Sequence, residues 1–387
     1  MNDNQSHGQE IDFLLVGINQ EALDRDVRIL EDAGHGPVCI LHSGVEARNV
    51  LKGGRVHFVI TEMNMPAMNG LELLRLIRRT PGLSEIPVLM TSDNRHKEMV
   101  RYAVDEMVDG YLVTPYGGDD LLKAIDAVVT RRKKITPLQQ QVRRARRLLL
   151  KKDFDKVITV ARDVLARQKN NSDALFVLSE AYFHLRQADR ARQFLKLYLA
   201  GQPTSGKGAH LLSKVCRLDG SQGDAFNLLQ KAHKENPLNI DLAIDLGKFY
   251  LDMGMEENAQ QIFSRISASG PTDLNLIKIG KAFLKKGRVE DAGPYLNRTV
   301  EPLPETAFVF AQFAEMLQKS GDLAGCAAQY EKCLQLAPDH PEYLFRLGEI
   351  YLKQGELDRA RSLCLEWLKR QPEEDGAKRL FSLAFHG

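Results

Sequence analysis

Residues 59–70 read VITEMNMPAMNG, and Glu62 is the side chain in this stretch that could do chemistry. A β-branched run ends on the acid, and the N-M-P and glycine that follow break the strand. The carboxylate therefore stands at a strand's carboxyl end, where it could be a nucleophile, a metal ligand or a solvated charge. A second stretch, GQPTSGKG at 201–208, nearly matches the phosphate loop G-x-x-x-x-G-K-[ST] but ends in glycine. The five cysteines (Cys39, Cys216, Cys326, Cys333 and Cys364) are odd in number and hold no C-x-x-C pair. They point to neither a disulfide framework nor a zinc knuckle. The ten histidines have no H-E-x-x-H or clustered metal spacing. No metal, no cofactor and no catalytic group is expected.

The elements that must position Glu62 are legible around it. Short apolar runs occur at 13–16, 37–41, 58–61, 87–90 and 110–113, with amphipathic helical patterns between them. Unbroken apolar strands suit a parallel sheet covered on both faces. The expectation is a doubly wound, flavodoxin-like five-stranded α/β domain over 11–134, with any site at the strand carboxyl ends. Residues 1–10, polar and without an apolar stretch, are expected to be disordered and not a secretory signal.

With M-N-M-P-A-M-N-G after strand three, a Ser after strand four and a Pro after strand five, 11–134 resembles a response-regulator receiver domain. The resemblance implies two acids after strand one, a phospho-accepting aspartate after strand three, a hydroxyl after strand four and a lysine after strand five. Here the acid pair falls on Gly17 and Ile18, the acceptor on Glu62 and the lysine on Thr114. The hydroxyl falls on Ser92, the aromatic switch on Tyr111, and Pro115 keeps a proline that in this family usually follows a cis bond. Phosphoryl transfer needs a metal to neutralise charge on the equatorial oxygens, and Mg²⁺ wants carboxylate ligands that Gly17 and Ile18 lack. Thr114 has no positive charge to offer, and Glu62 carries its carboxylate one methylene too far for in-line attack. The resemblance is therefore to a degenerate, pseudo-receiver domain. Glu62 is either a solvated remnant or a partial imitation of a phospho-aspartate held with Ser92 and Tyr111.

The chain has 387 residues, net charge +2, 43% hydrophobic and 27% charged residues, which suits two or three globular domains and gives no general pull toward nucleic acid or membrane. No apolar run approaches the ~20 residues of a membrane span. A cytoplasmic protein without membrane insertion is expected. Residues 135–152 form a basic junction, and between Asp126 and Asp153 there is no acid. It reads as the solvated face of a linking helix broken at Pro137, or as a weaker possibility as a nucleic-acid contact.

Beyond the junction a period of about 34 residues appears. The clearest copy, 341–372, carries Leu347, Gly348, Tyr351, Gly355, Ala360 and Pro372. In-phase copies begin at Ala307, Asp273, Ile240, Gly206 and Ser172, with a degenerate one near Leu138 overlapping the junction. Residues 138–374 resemble seven tetratricopeptide repeats, an all-α helical solenoid, and 375–387 a C-terminal capping helix. In that phase GQPTSGKG follows a helix, with Pro203 at a stop position, and not the strand a phosphate loop needs. Cys326 and Cys333 fall on packing positions.

In such repeats the first helices line a concave groove, here through Phe176, Lys207, His210, Lys214, Lys248, Lys281 and Phe345, with Glu180, Asp241, Glu315, Glu342 and Glu349 at the same positions elsewhere. These are ordinary solvated lysines, or a basic groove with aromatic anchors for an acidic or extended protein segment. The expectation is a non-enzymatic signalling adaptor, whose receiver-like face could also meet a partner or a second copy. The alternatives are a phosphorylatable response regulator with the repeats as output, and a nucleic-acid binder.

Overall fold

The computed structural model describes residues 10–53, 55–93, 97–268, 271–300 and 302–386. The stretch expected to be disordered lies outside these except for Glu10, which opens the first strand. The chain divides into two units, Met1–Tyr250 and Leu251–Gly387.

The first unit begins with strands β1 (Glu10–Val16), β2 (Val38–Leu41), β3 (Arg55–Glu62), β4 (Val88–Ser92) and β5 (Gly110–Val113). They alternate with α1 (Gln20–Asp32), α2 (Gly44–Gly53), α3 (Gly70–Arg79), α4 (Lys97–Asp105) and α5 (Gly118–Lys133). All pairings are parallel, in the order β2-β1-β3-β4-β5. This is the flavodoxin-like doubly wound order. On one face Phe13, Leu15, Phe58 and Ile60 join Leu23, Leu30, Leu121, Ile125 and Val128 in one core. Their strand neighbours Leu14 and Val59, also fully buried, alternate to the opposite face. β3 starts three residues before its apolar run, at Arg55, because its ladder with β1 continues to Glu10.

Helical pairs complete this unit: α6 (Pro137–Leu150) with α7 (Phe154–Arg167), α8 (Ser172–His184) with α9 (Ala188–Gly201), and α10 (Gly206–Leu218) with α11 (Gln222–Glu235). Then α12 (Ile240–Asp252) runs across the division. Thr136 caps α6 through a reciprocal bond with Gln139, and Pro137 sits in its first turn, so the basic stretch is two helices and not one. Ala145, Val157, Val160, Val177 and Ala181 pack α6, α7 and α8 together. Small residues there allow the close helix approach that a stacked repeat requires.

The second unit holds α13 (Glu256–Ala268), α14 (Asp273–Leu284), α15 (Val289–Leu296), α16 (Ala307–Ser320), α17 (Leu323–Leu336), α18 (Pro341–Gln354), α19 (Leu357–Arg370) and α20 (Asp375–His386). A methyl group on Gly280 would stand 2.5 Å from Leu296, and one on Gly348 would collide with Leu380. Gly321 and Gly355 end their helices with φ of 88° and 77°. In the first unit the turns after α6 and α8 use Lys152 and Arg186, at φ 60° and 58°, residues that pay for a left-handed backbone, while the turn after α10 uses Gly220 at φ 84°. α15 ends at Leu296, well before Pro304, which instead opens a 3-10 turn, Pro304–Thr306. Gly293 and Pro294 inside α15 leave it short of good helix formers. Among the described residues no helix is long and apolar enough to cross a membrane.

Candidate functional site

At the strand carboxyl ends Glu62 does not point into open solvent. Its Oε2 accepts from the backbone N–H of Ile18 at 3.0 Å. A Cβ on Gly17 would meet the Glu62 Cδ at 2.8 Å and Oε1 at 2.9 Å. The longer acid has folded into the space that a side chain at position 17 would need. Ile18 is 56% exposed and brings no oxygen ligand. Just past the end of β4, the Asp93 Oδ1 accepts from Asn64 Nδ2 at 3.4 Å. Thr114 precedes Pro115 across a cis bond, and its N–H donates to the Ser92 carbonyl at 2.9 Å.

Behind Glu62 sits a second cluster. Ser92, 6% exposed, places its Oγ 3.7 Å from Met63 Sδ. The Tyr111 hydroxyl lies 3.9 Å from the same sulfur. Burial pushes the Tyr111 phenol up, and a hydrogen bond with Ser92 pulls the other way. The tyrosine is thus turned in against the strand-four hydroxyl. Asn69 and Glu72 cap α3 reciprocally, which fixes the turn after Glu62.

Several arginines of the acid-free stretch between Asp126 and Asp153 are engaged within the chain. Arg132 pairs with Asp109 at 2.8 Å, Arg131 donates to the Asp109 carbonyl at 2.9 Å, and Arg143 pairs with Glu85 at 3.3 Å. Arg146 pairs with Asp173 at 2.5 Å. The glycine-rich segment 201–208 is a helix junction. Ser205 caps α10 by accepting from the Gly208 N–H at 3.3 Å and bonds the Tyr198 hydroxyl at 2.9 Å. Gly208 lies where a Cβ would strike the Tyr198 ring, so packing explains the glycine. Cys333 donates to the Ala307 carbonyl at 3.3 Å, and burial pushes its thiol up to about 12.

Most of the residues expected to line a basic groove meet other groups of the chain. Lys207 Nζ donates to the Asp105 carbonyl of α4 at 3.3 Å and stands 5.1 Å over the Phe176 ring. Phe176 itself packs on Tyr198, with ring centroids 5.2 Å apart. His210 and Lys248 both hold Asp245, at 2.5 Å and 3.0 Å. Burial pushes the Asp245 carboxyl up, but the His210 hydrogen bond and the charges of Lys248, His210 and Lys214 outweigh it and hold the group well below the usual range. Lys214 is exposed as a residue, but partial desolvation by its surroundings pushes its ammonium down, against the pull of Asp245. Lys281 and Phe345 belong to the second unit, where Lys281 lies 4.3 Å over Phe308 and Arg379 lies 5.2 Å over Phe345. The first-helix surface of the first unit is therefore mixed in charge, because Asp241 and Asp245 stand among the lysines.

That surface also carries contacts that the repeat phase alone does not disclose. Arg75 of α3 pairs with Asp241 of α12 and with Glu106 at 3.0 Å. The Tyr102 hydroxyl donates to Asp241 at 2.9 Å, and Arg75 stacks 5.2 Å over the Tyr102 ring. Burial alone would lower the Arg75 guanidinium's pKa; Tyr102, Asp241 and Glu106 reverse that and raise it. Burial pushes the Tyr102 phenol well up, with Asp241 adding to the effect. Arg75 and Tyr102 carried no sequence motif; Asp241 did lie on the groove phase.

A response regulator receiver domain model matches residues 14–126, and a tetratricopeptide repeat model matches 148–215, 219–282 and 317–380. Chemotaxis protein CheY-3 of Vibrio cholerae is 34% identical over 103 residues, which are 27% of this chain and 79% of that protein. Chemotaxis protein CheY of Pseudomonas aeruginosa is 31% identical over 103 residues, 27% of this chain and 83% of that protein. Among solved structures, MamA is 23% identical, covering 46% of this chain and 96% of that one, with a TM-score of 0.34. The chemotaxis response regulator CheY4 of Vibrio cholerae is 26% identical, covering 31% and 99%, with a TM-score of 0.29.

Proposed function

Because the chain belongs to the response regulator receiver family through its N-terminal domain and continues into tetratricopeptide repeats, we propose that it is a non-enzymatic signalling adaptor of the bacterial cytoplasm. In this reading the receiver-like domain takes no phosphate, and the repeats hold a protein partner.

The observation that carries the reading is the seat of Glu62. Its carboxylate is committed to the Ile18 N–H and fills the space over Gly17. The Mg²⁺ that the family implies does not fit this donor set, since two carboxylates of the usual cage are absent and the third is turned onto backbone. Thr114 offers no cation to balance charge on a phosphoryl oxygen. The inward seat of Tyr111 on Ser92 and Met63 supports the reading in which the switch is held in one conformation. The nucleic-acid reading is disfavoured, because Arg131, Arg132, Arg143 and Arg146 already bond within the chain.

The test is a titration of the full chain with Mg²⁺ and beryllofluoride, followed by amide exchange in β3, β4 and the turns after them. No change in protection is expected. Saturable protection at Glu62 and Ser92, lost in Glu62→Gln, would overturn the reading.

A further inference from the structure

We propose that the face of α3 and α4 is an autoinhibitory occupant of the surface presented by α10 and α12, masking Lys207 and Asp241 from any other ligand. The inference extends the adaptor reading but does not depend on whether Glu62 accepts phosphate.

Lys207 and Asp241 hold the same place, one residue into successive first helices, on the face through which an array of this kind would meet a partner. Both are taken by the chain's own receiver-like domain: Lys207 by the Asp105 carbonyl, Asp241 by Arg75 and Tyr102. The contact is desolvated, with the Arg75 side chain 12% exposed and Asp241 24%. Arg75 is satisfied from three sides, by Glu106, Tyr102 and Asp241. A partly buried cation with such geometry fixes orientation more than it adds stability, since its desolvation offsets much of the attraction. That balance suits a contact that can be exchanged. A competitor would have to bring a guanidinium or ammonium to Asp241 and an acceptor to Lys207. The ligand that this surface fits is thus a segment carrying a cation beside an acceptor, as α3 and α4 do together, and not a purely acidic one.

The test needs no partner. In the full chain, lysine acetylation by an amine-reactive ester is followed by mass spectrometry at Lys207, with exposed Lys369 as the reference. Three forms are compared: the native chain, Asp241→Arg, and the exchanged pair Arg75→Asp with Asp241→Arg. Lys207 should label slowly in the native chain and at least about tenfold faster in Asp241→Arg, because an unpaired cation now faces Arg75. The exchanged pair should restore protection, which also separates release from misfolding of α12. Equal Lys207 rates in all three forms would overturn the proposal. So would a rise that the exchanged pair fails to reverse.

Discussion

Glu62 and Gly17 occupy one another's space: a Cβ on Gly17 would lie 2.9 Å from the Glu62 Oε1, whose sister oxygen holds the Ile18 N–H. A side chain at position 17 and the present seat of the Glu62 carboxylate thus exclude one another.

A double-mutant cycle measures that relationship. Gly17→Ala should push the Glu62 carboxylate off the Ile18 N–H and cost about 1 kcal/mol in urea unfolding. In a Glu62→Ala background the same substitution should be nearly neutral. Equal costs in both backgrounds would mean that the two side chains do not share the space.

Two acids of the first helices, Glu180 and Asp245, carry opposite pH signatures. Burial pushes the Glu180 carboxyl up, while Lys207, Arg146, Arg79 and Lys214 only partly pull it back. A raised folded-state pKa favours the protonated form, so its stabilising contribution is present below the usual 4.5 and is lost as pH rises through the folded value. Glu180→Gln should therefore raise the melting temperature at pH 7 and make no difference below about pH 4. Asp245 is held low, so its contribution is present above its usual 3.8 and is lost as pH falls further. Asp245→Asn should destabilise at pH 7, and that penalty should shrink in acid.

Arg186 ends α8 at φ 58° where the later repeats place glycine. Arg186→Gly should relieve the left-handed strain, against a smaller loss through the unfolded chain, for a net gain of about 0.5–1 kcal/mol. Calorimetry of the full chain reads it, and a loss of stability would show that the exposed arginine contributes more than its backbone costs.

The elements were legible in the sequence because they obey local rules. Five apolar runs became five parallel strands, and the 34-residue phase placed first helices at Ser172, Gly206, Ile240, Asp273, Ala307 and Pro341. Gly280 and Gly348 were readable as close approaches for the same reason. The strand ends were readable from their turns, and β3 and β4 do end at Glu62 and Ser92. What escaped was long-range pairing. Tyr102 and Asp241 are 139 residues apart, and no periodicity links them. Lys207 looked like a free groove lysine because its bond to the Asp105 carbonyl depends on which surfaces meet. The junction arginines likewise read as a solvated run, since Asp109 and Glu85 lie far back in the chain. Charge found by phase alone says where a side chain stands, not whether it is spent.

The central claim is that Glu62 is seated and does not accept phosphate, and intact-mass measurement after incubation with Mg²⁺ and acetyl phosphate tests it most directly. The comparison is a chain with Gly17→Asp, Ile18→Asp, Glu62→Asp and Thr114→Lys, which restores the acids and the cation that phosphoryl transfer needs. The native chain should show no added phosphoryl group while the restored chain gains one. A stoichiometric phosphoryl gain on the native chain, lost in Glu62→Gln, would contradict the account.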